Sequence, residues 1–188
     1  MSIDNNDSPC SPEHKNNLPI VGCLILFSVI LGTTELGYIP VPTAAKHVTT
    51  MHLPTIVASI LEGWPIGMVV GTVFGITSMY ISGSAMAQDP IVALVPRILV
   101  GVTPYLIYVC MSGRNEYVRL GVAAVIGTLT NTFFFLGFAV LRGLMEPELA
   151  LSVAWKHGAP EAVVAVIIVI PAVIVLRKAQ VLIDNLGR

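Results

Sequence analysis

The sequence predicts an all-α integral membrane protein of six transmembrane helices, and three observations predict it. Of 188 residues, 55% are hydrophobic and only 11% are charged, against roughly 25% charge in a soluble domain. The apolar residues gather into runs of about 16 to 24, and about 20 are enough to cross a hydrocarbon core of ~30 Å. The stretches between runs collect proline, glycine, serine and charge, the residues that stop helices. A net charge of −1 leaves no basic surface for a nucleic acid.

Residues 1–17 are polar and carry Asp4, Asp7 and Glu13 against Lys15. A secretory signal needs a basic start and a short apolar core before its cleavage site, so this stretch reads as an uncleaved, disordered cytoplasmic tail. One membrane domain, 18–178, and a cytoplasmic tail, 179–188, follow. The first span, 18–38, stops at Ile39-Pro40-Val41-Pro42, where proline removes backbone donors and favours extended chain. A loop with Lys46, His47 and His52 comes next. The run 53–61 is too short to cross alone, which predicts a short, tilted or re-entrant helix shielded by protein. Gly63-Trp64-Pro65 closes it in a tight turn.

The third span, 66–81, belongs to a series at four-residue spacing, Gly63, Gly67, Gly71 and Gly75, which lies on one helical stripe. In lipid, small residues let helix backbones approach; packing within the subunit is the first reading of the stripe and partner docking the second. The fourth span, 91–111, carries Arg97 near its start and Pro104 in its middle. The fifth, 120–141, holds Gly127, Thr128, Thr130, Asn131 and Thr132. A loop with Arg142, Glu146, Glu148, Lys156 and His157 follows, in which 149–155 reads as a short interfacial helix. The last span, 160–176, starts at Pro160-Glu161 and ends before Arg177 and Lys178.

With six spans the termini share a side. Lys15, Arg114, Arg119, Arg177, Lys178 and Arg188 fall there, against Lys46, Arg97, Arg142 and Lys156 on the other, so the positive-inside rule puts both termini in the cytoplasm of a multi-pass cell-membrane protein.

Charged side chains inside spans cost about 2.5–3.5 kcal/mol at a helix centre, so each asks for a partner or a role. Glu35, Arg97 and Glu161 are such residues, and with His47, His52 and His157 they fall at the outer ends of spans, as a polar cup. Pro160 suits a first helical position, and Glu161 beside it suits the positive end of the helix dipole; capping therefore stands beside ligand contact for Glu161. The five donors of Arg97 must be met by Glu35, Glu161, carbonyls or a ligand. Arg97, Gly101, Tyr105 and Tyr108 share one face of the fourth span, as do Thr128, Asn131 and Phe135 on the fifth. Asn131 suits a solute or an interhelical hydrogen bond; His52 suits a helix cap, a solute or water. The substrate-binding candidates are Glu35, His52, Arg97, Tyr105, Asn131 and Glu161.

Cys10, Cys23 and Cys110 lie far apart with no metal-binding spacing, and no metal or cofactor is expected. The chain has no GxxxxGK[ST], HExxH or GxSxG motif, so the expectation is a non-enzyme that draws any energy from another protein. A small intramembrane hydrolase would need Ser84 to meet His52 or His157, which their spacing does not support. A purely structural subunit is the other alternative, with the glycine stripe as its function.

Five fragments resemble the substrate-binding S components of energy-coupling factor (ECF) vitamin transporters. In order they are Met51-His52-Leu53-Pro54, Leu61-Glu62-Gly63-Trp64-Pro65-Ile66-Gly67 leading to Gly71 and Phe74-Gly75, Val95-Pro96-Arg97-Ile98-Leu99-Val100-Gly101, Gly127-Thr128-Leu129-Thr130-Asn131-Thr132, and Gly158-Ala159-Pro160-Glu161-Ala162. The resemblance implies a six-helix subunit that captures a water-soluble vitamin or related micronutrient from outside. It also implies partners, a transmembrane coupling protein and two cytoplasmic ATPases. Many members dock through Ala-xxx-Ala on the first helix, for which Ser28 and Gly32 are the nearest equivalent here. The fragments look closest to the branch with pantothenate, riboflavin and hydroxymethylpyrimidine carriers, and Arg97 suits an anion such as pantothenate.

Overall fold

A computed structural model describes residues 18–34, 37–40, 47–81 and 84–186. Glu35, Lys46 and the 1–17 tail lie outside the described residues. The elements are α1 (Leu18–Thr33), β1 (Tyr38–Pro40), β2 (His47–Thr49), α2 (Leu53–Glu62), α3 (Trp64–Ile81), α4 (Ala85–Gln88), α5 (Pro90–Cys110), α6 (Glu116–Leu141) and α7 (Pro147–Leu186). Four of the helices, α3, α5, α6 and α7, are long and apolar enough to cross a membrane, while α1 and α2 are shorter apolar helices.

Helix α1 ends five residues before the expected Tyr38. The hydroxyls of Thr33 and Thr34 both donate back to the Ile30 carbonyl, at 3.1 and 2.7 Å, which satisfies the last turn and competes with its continuation. The chain then enters an antiparallel β1–β2 ladder, with Tyr38 opposite Thr49 and Pro40 opposite His47. The expected loop is thus a short hairpin, and Thr50 closes it by donating its backbone N–H to the Gly37 carbonyl at 2.9 Å.

Helix α2 is buried along all ten residues, as its short apolar run requires in a shielded position. Gly63 ends it with φ of +86°, a conformation glycine adopts without steric cost, and α3 folds back beside it. Gly67, Gly71 and Gly75 then zip α3 onto α5. A Cβ on Gly67 would lie 2.3 Å from the Gly101 carbonyl oxygen, one on Gly71 2.2 Å from that of Arg97, and one on Gly75 2.9 Å from that of Ala93. As the α3 number rises the α5 number falls, so the two helices are antiparallel. The stripe is therefore an internal seam, and partner docking through it is excluded by the helix already there. Gly63 serves the turn and not the seam.

Ser28 and Gly32 are also turned inward. Ser28 is fully buried and so not open to a partner as the Ala-xxx-Ala comparison implied, and Gly32, half-buried, packs toward α3, where a Cβ would meet Thr77 Cγ2 at 2.7 Å. The outward face of α1 is instead Leu18, Leu26, Phe27 and Ile30.

Helix α7 differs most from expectation. It runs unbroken for 40 residues from Pro147 with Pro160 and Pro171 inside it, about 60 Å at 1.5 Å per residue. The expected interfacial helix at 149–155, the last span and much of the expected 179–188 tail are one element. Pro160 does not start a helix and Glu161 caps none: both sit mid-helix, where neighbouring helices let a membrane helix tolerate proline. Helix α5 likewise continues through Pro96 and Pro104. Its start is set by Asp89, whose side chain accepts from the Ile91 and Val92 N–H groups at 3.0 and 3.3 Å, followed by Pro90 at the first helical position.

Candidate functional site

A cavity of about 540 Å³ opens at one end of the bundle, within the range that holds small ligands. Its walls come from the last turn of α1, Thr49 of the hairpin and Met51 just beyond it, the end of α3, the α4 turn, and matching levels of α5, α6 and α7. Of the six expected binding residues, Arg97, Asn131 and Glu161 line it. His52 and Tyr105 do not, and Glu35 lies outside the described residues.

Arg97 is 6% exposed. Its Nη1 donates to the Val92 carbonyl at 2.8 Å, and its guanidinium lies over the Phe135 ring at 4.5 Å and the Phe74 ring at 5.2 Å. No carboxylate among the described residues bridges it, and its buried Nε has no partner. The Glu161 pairing is not formed, and the Glu35 pairing falls outside the described residues. The faces of two aromatic rings offset part of the desolvation of the cation, but an unmet N–H remains.

Glu161, on α7, is the anchor of the hairpin. Thr49 donates to its Oε1 through both backbone N–H, at 3.1 Å, and Oγ1, at 2.6 Å. Thr132 of α6 reaches Oε2 at 3.5 Å. Asn131, one residue back on α6, has a buried Oδ1 with no partner, so the interhelical bond expected as its alternative role is absent among the described residues.

His52 sits one residue beyond the cavity-lining Met51 and is 1% exposed. Its Nε2 pairs with Thr128 Oγ1 at 3.0 Å and it makes no side-chain cap to α2, so it braces α2 against α6. Tyr105 packs near the Gly63 turn, its backbone N–H donating to Ser59 Oγ at 3.2 Å. Tyr108, expected on the Arg97 face, is eleven residues along α5, about 16 Å at helical rise, and belongs to the opposite end. There its hydroxyl donates to Glu116 at 2.9 Å and accepts from Arg177 at 2.8 Å. Arg119 pairs with Glu116 at 3.1 Å and Arg177 also bonds Glu116. One knot thus ties α5, α6 and α7.

Sequence reasoning missed Thr49, Phe74 and Ser78 as wall residues. Phe74 and Ser78 are one turn apart on α3, a signal that periodicity contains. Thr49 carries none, since only the hairpin brings it to Glu161.

A bundle of apolar helices with a buried cation and a buried carboxylate on the walls of one small cavity defines a multi-pass membrane protein that binds a solute. The chain belongs to the ECF transporter, substrate-specific component family, whose model matches residues 16–173. It is similar to the pantothenic acid transporter PanT of Lactococcus lactis subsp. cremoris (strain MG1363), with 31% identity over 160 aligned residues that cover 70% of this chain and 79% of the relative.

Proposed function

We propose that this chain is the solute-capture subunit of an ATP-driven importer and that its solute is pantothenate. The carrying observation is Arg97: a buried guanidinium with an unmet N–H on a cavity wall is completed by a ligand carboxylate through a charge-assisted hydrogen bond. The name of the relative supports the same acid. Asn131 and Glu161 contact the ligand as well, and His52, behind the wall, braces α2 against α6. Six apolar helices, α1, α2, α3, α5, α6 and α7, form the membrane domain, with α2 shielded by the others. The basic residues around Tyr108 and the end of α7 support a cytoplasmic placement for that end and for both termini, with the cavity opening outside. The chain has no ATPase site of its own; a transmembrane coupling subunit and two cytoplasmic ATPases supply energy.

The test is a panel of water-soluble vitamins against the detergent-purified protein, by thermal shift and then calorimetry, with Arg97→Ala alongside. Pantothenate is expected to bind below roughly micromolar, about −8 kcal/mol, and Arg97→Ala to lose that affinity. Folded protein that binds no vitamin, or binds one equally well without Arg97, refutes the assignment.

A further inference from the structure

Arg97 and Glu161 carry opposite charges, each is more than nine-tenths buried, and both line one cavity. Buried opposite charges recover part of their desolvation cost by closing on each other. These two are held apart. The Val92 carbonyl and the Phe74 and Phe135 rings keep Arg97 on its wall, while Thr49 and Thr132 keep Glu161 on another. Helix α6 runs between them, with Phe135 beneath the guanidinium, Thr132 reaching the carboxylate, and Asn131 beside Thr132. Each charge keeps unused capacity: among the described residues the Arg97 Nε has no partner, and Oε2 of Glu161 has only the long 3.5 Å contact from Thr132.

We infer that the cavity reads a ligand of fixed polarity, with a carboxylate at Arg97 and hydroxyl donors at Glu161, and that Glu161 is the residue that selects the donor end. The unpartnered Asn131 Oδ1 accepts an N–H or O–H from the same ligand. A neutral alcohol leaves Arg97 unmet, and an acid at both ends sets a second anion against Glu161. This rests on the anionic-vitamin assignment and adds to it the orientation of the ligand.

The experiment is calorimetry of wild type, Arg97→Gln and Glu161→Gln with pantothenate, its primary-alcohol analogue, which lacks the carboxylate, and its di-O-methyl ether, which lacks the hydroxyl donors. Wild type is expected to prefer pantothenate over each analogue by about 10- to 100-fold, the worth of one hydrogen bond to a charged group. Glu161→Gln erases the preference over the ether and keeps that over the alcohol; Arg97→Gln does the reverse. Equal losses for all three compounds in both variants overturn the inference while leaving pantothenate as the solute. A wild type that binds none of the three refutes the solute assignment and the inference with it. Wild type alone gives a further readout that needs no variant: pantothenate phosphorylated on its primary hydroxyl is expected to bind at least about tenfold more weakly, and equal binding overturns the proposed polarity.

Discussion

Replacing Gly71 with alanine adds one methyl group where α3 and α5 already touch. That carbon would sit 2.2 Å from the Arg97 carbonyl oxygen, 2.9 Å from its carbon and 3.1 Å from Thr55 Cγ2. Carbon contacts are comfortable near 3.5 Å, so α5 must retreat by about 1 Å. Its way is barred by α6, whose Gly127 already lies so close that a Cβ there would meet Pro104 Cγ at 2.8 Å. Overpacking of this kind costs about 1–3 kcal/mol, and the better helix propensity of alanine offsets up to about 1. The net loss of about 1–2 kcal/mol corresponds to a fall of roughly 2–8 °C in melting temperature, measured in detergent by circular dichroism. Gly22→Ala is the control, because a Cβ there has nothing within 4 Å and only the propensity gain applies. Equal melting temperatures for the two variants would show that the α3–α5 seam is not as tight as the contacts require.

Two further outcomes follow from the two ends of the bundle. The hydrogen bond from Arg142 holds the Asp89 carboxyl below its usual value, so its contribution is present above the unfolded value near 4 and is lost as pH falls through the folded one. The melting-temperature gap between wild type and Asp89→Asn should be constant from pH 8 to 5 and close below about pH 4; a gap that persists in acid refutes the pairing. Tyr108→Phe removes the hydroxyl between Glu116 and Arg177 but leaves those two paired, and with both about a third exposed the loss is about 1 kcal/mol. Melting should fall by about 2–4 °C with ligand affinity unchanged, and a change confined to affinity would contradict its assignment to the far end.

Much of this was legible in the chain because membrane helices leave long apolar runs and small-residue seams. The seam of Gly67, Gly71 and Gly75, the shielded α2 and the Gly63 turn are all periodic or compositional signals. Arg97, Asn131 and Glu161 stand out in the sequence because polar groups are conspicuous in apolar runs, and all three line the cavity. Proline misled at Pro160, since its preference for helix starts holds in water, where no neighbouring helix compensates the lost N–H. Periodicity also put Arg97 and Tyr108 on one face without weighing the length of the helix between them. Thr49 could not be found at all, because the hairpin that carries it to Glu161 is set by tertiary contact and not by any repeat.

Packing and recognition meet at one peptide group. The Arg97 carbonyl is the atom against which Gly71 packs, while the Arg97 side chain lines the cavity and keeps a buried, unmet N–H at Nε. The position of that donor is therefore set by the α3–α5 seam, and the Phe74 ring beneath it comes from the same turn of α3 as Gly71 and Gly75. At the other end Glu116, Arg119, Arg177 and Tyr108 satisfy one another, and Gln180 donates to Glu62. The knot fixes α5, α6 and α7 against one another at one end, while at the other the Val92 carbonyl and two rings keep Arg97 on its wall and Thr49 and Thr132 keep Glu161 on another. Each charge is held by its own neighbours before any ligand arrives, and a ligand that meets both gains from an arrangement the protein has already made.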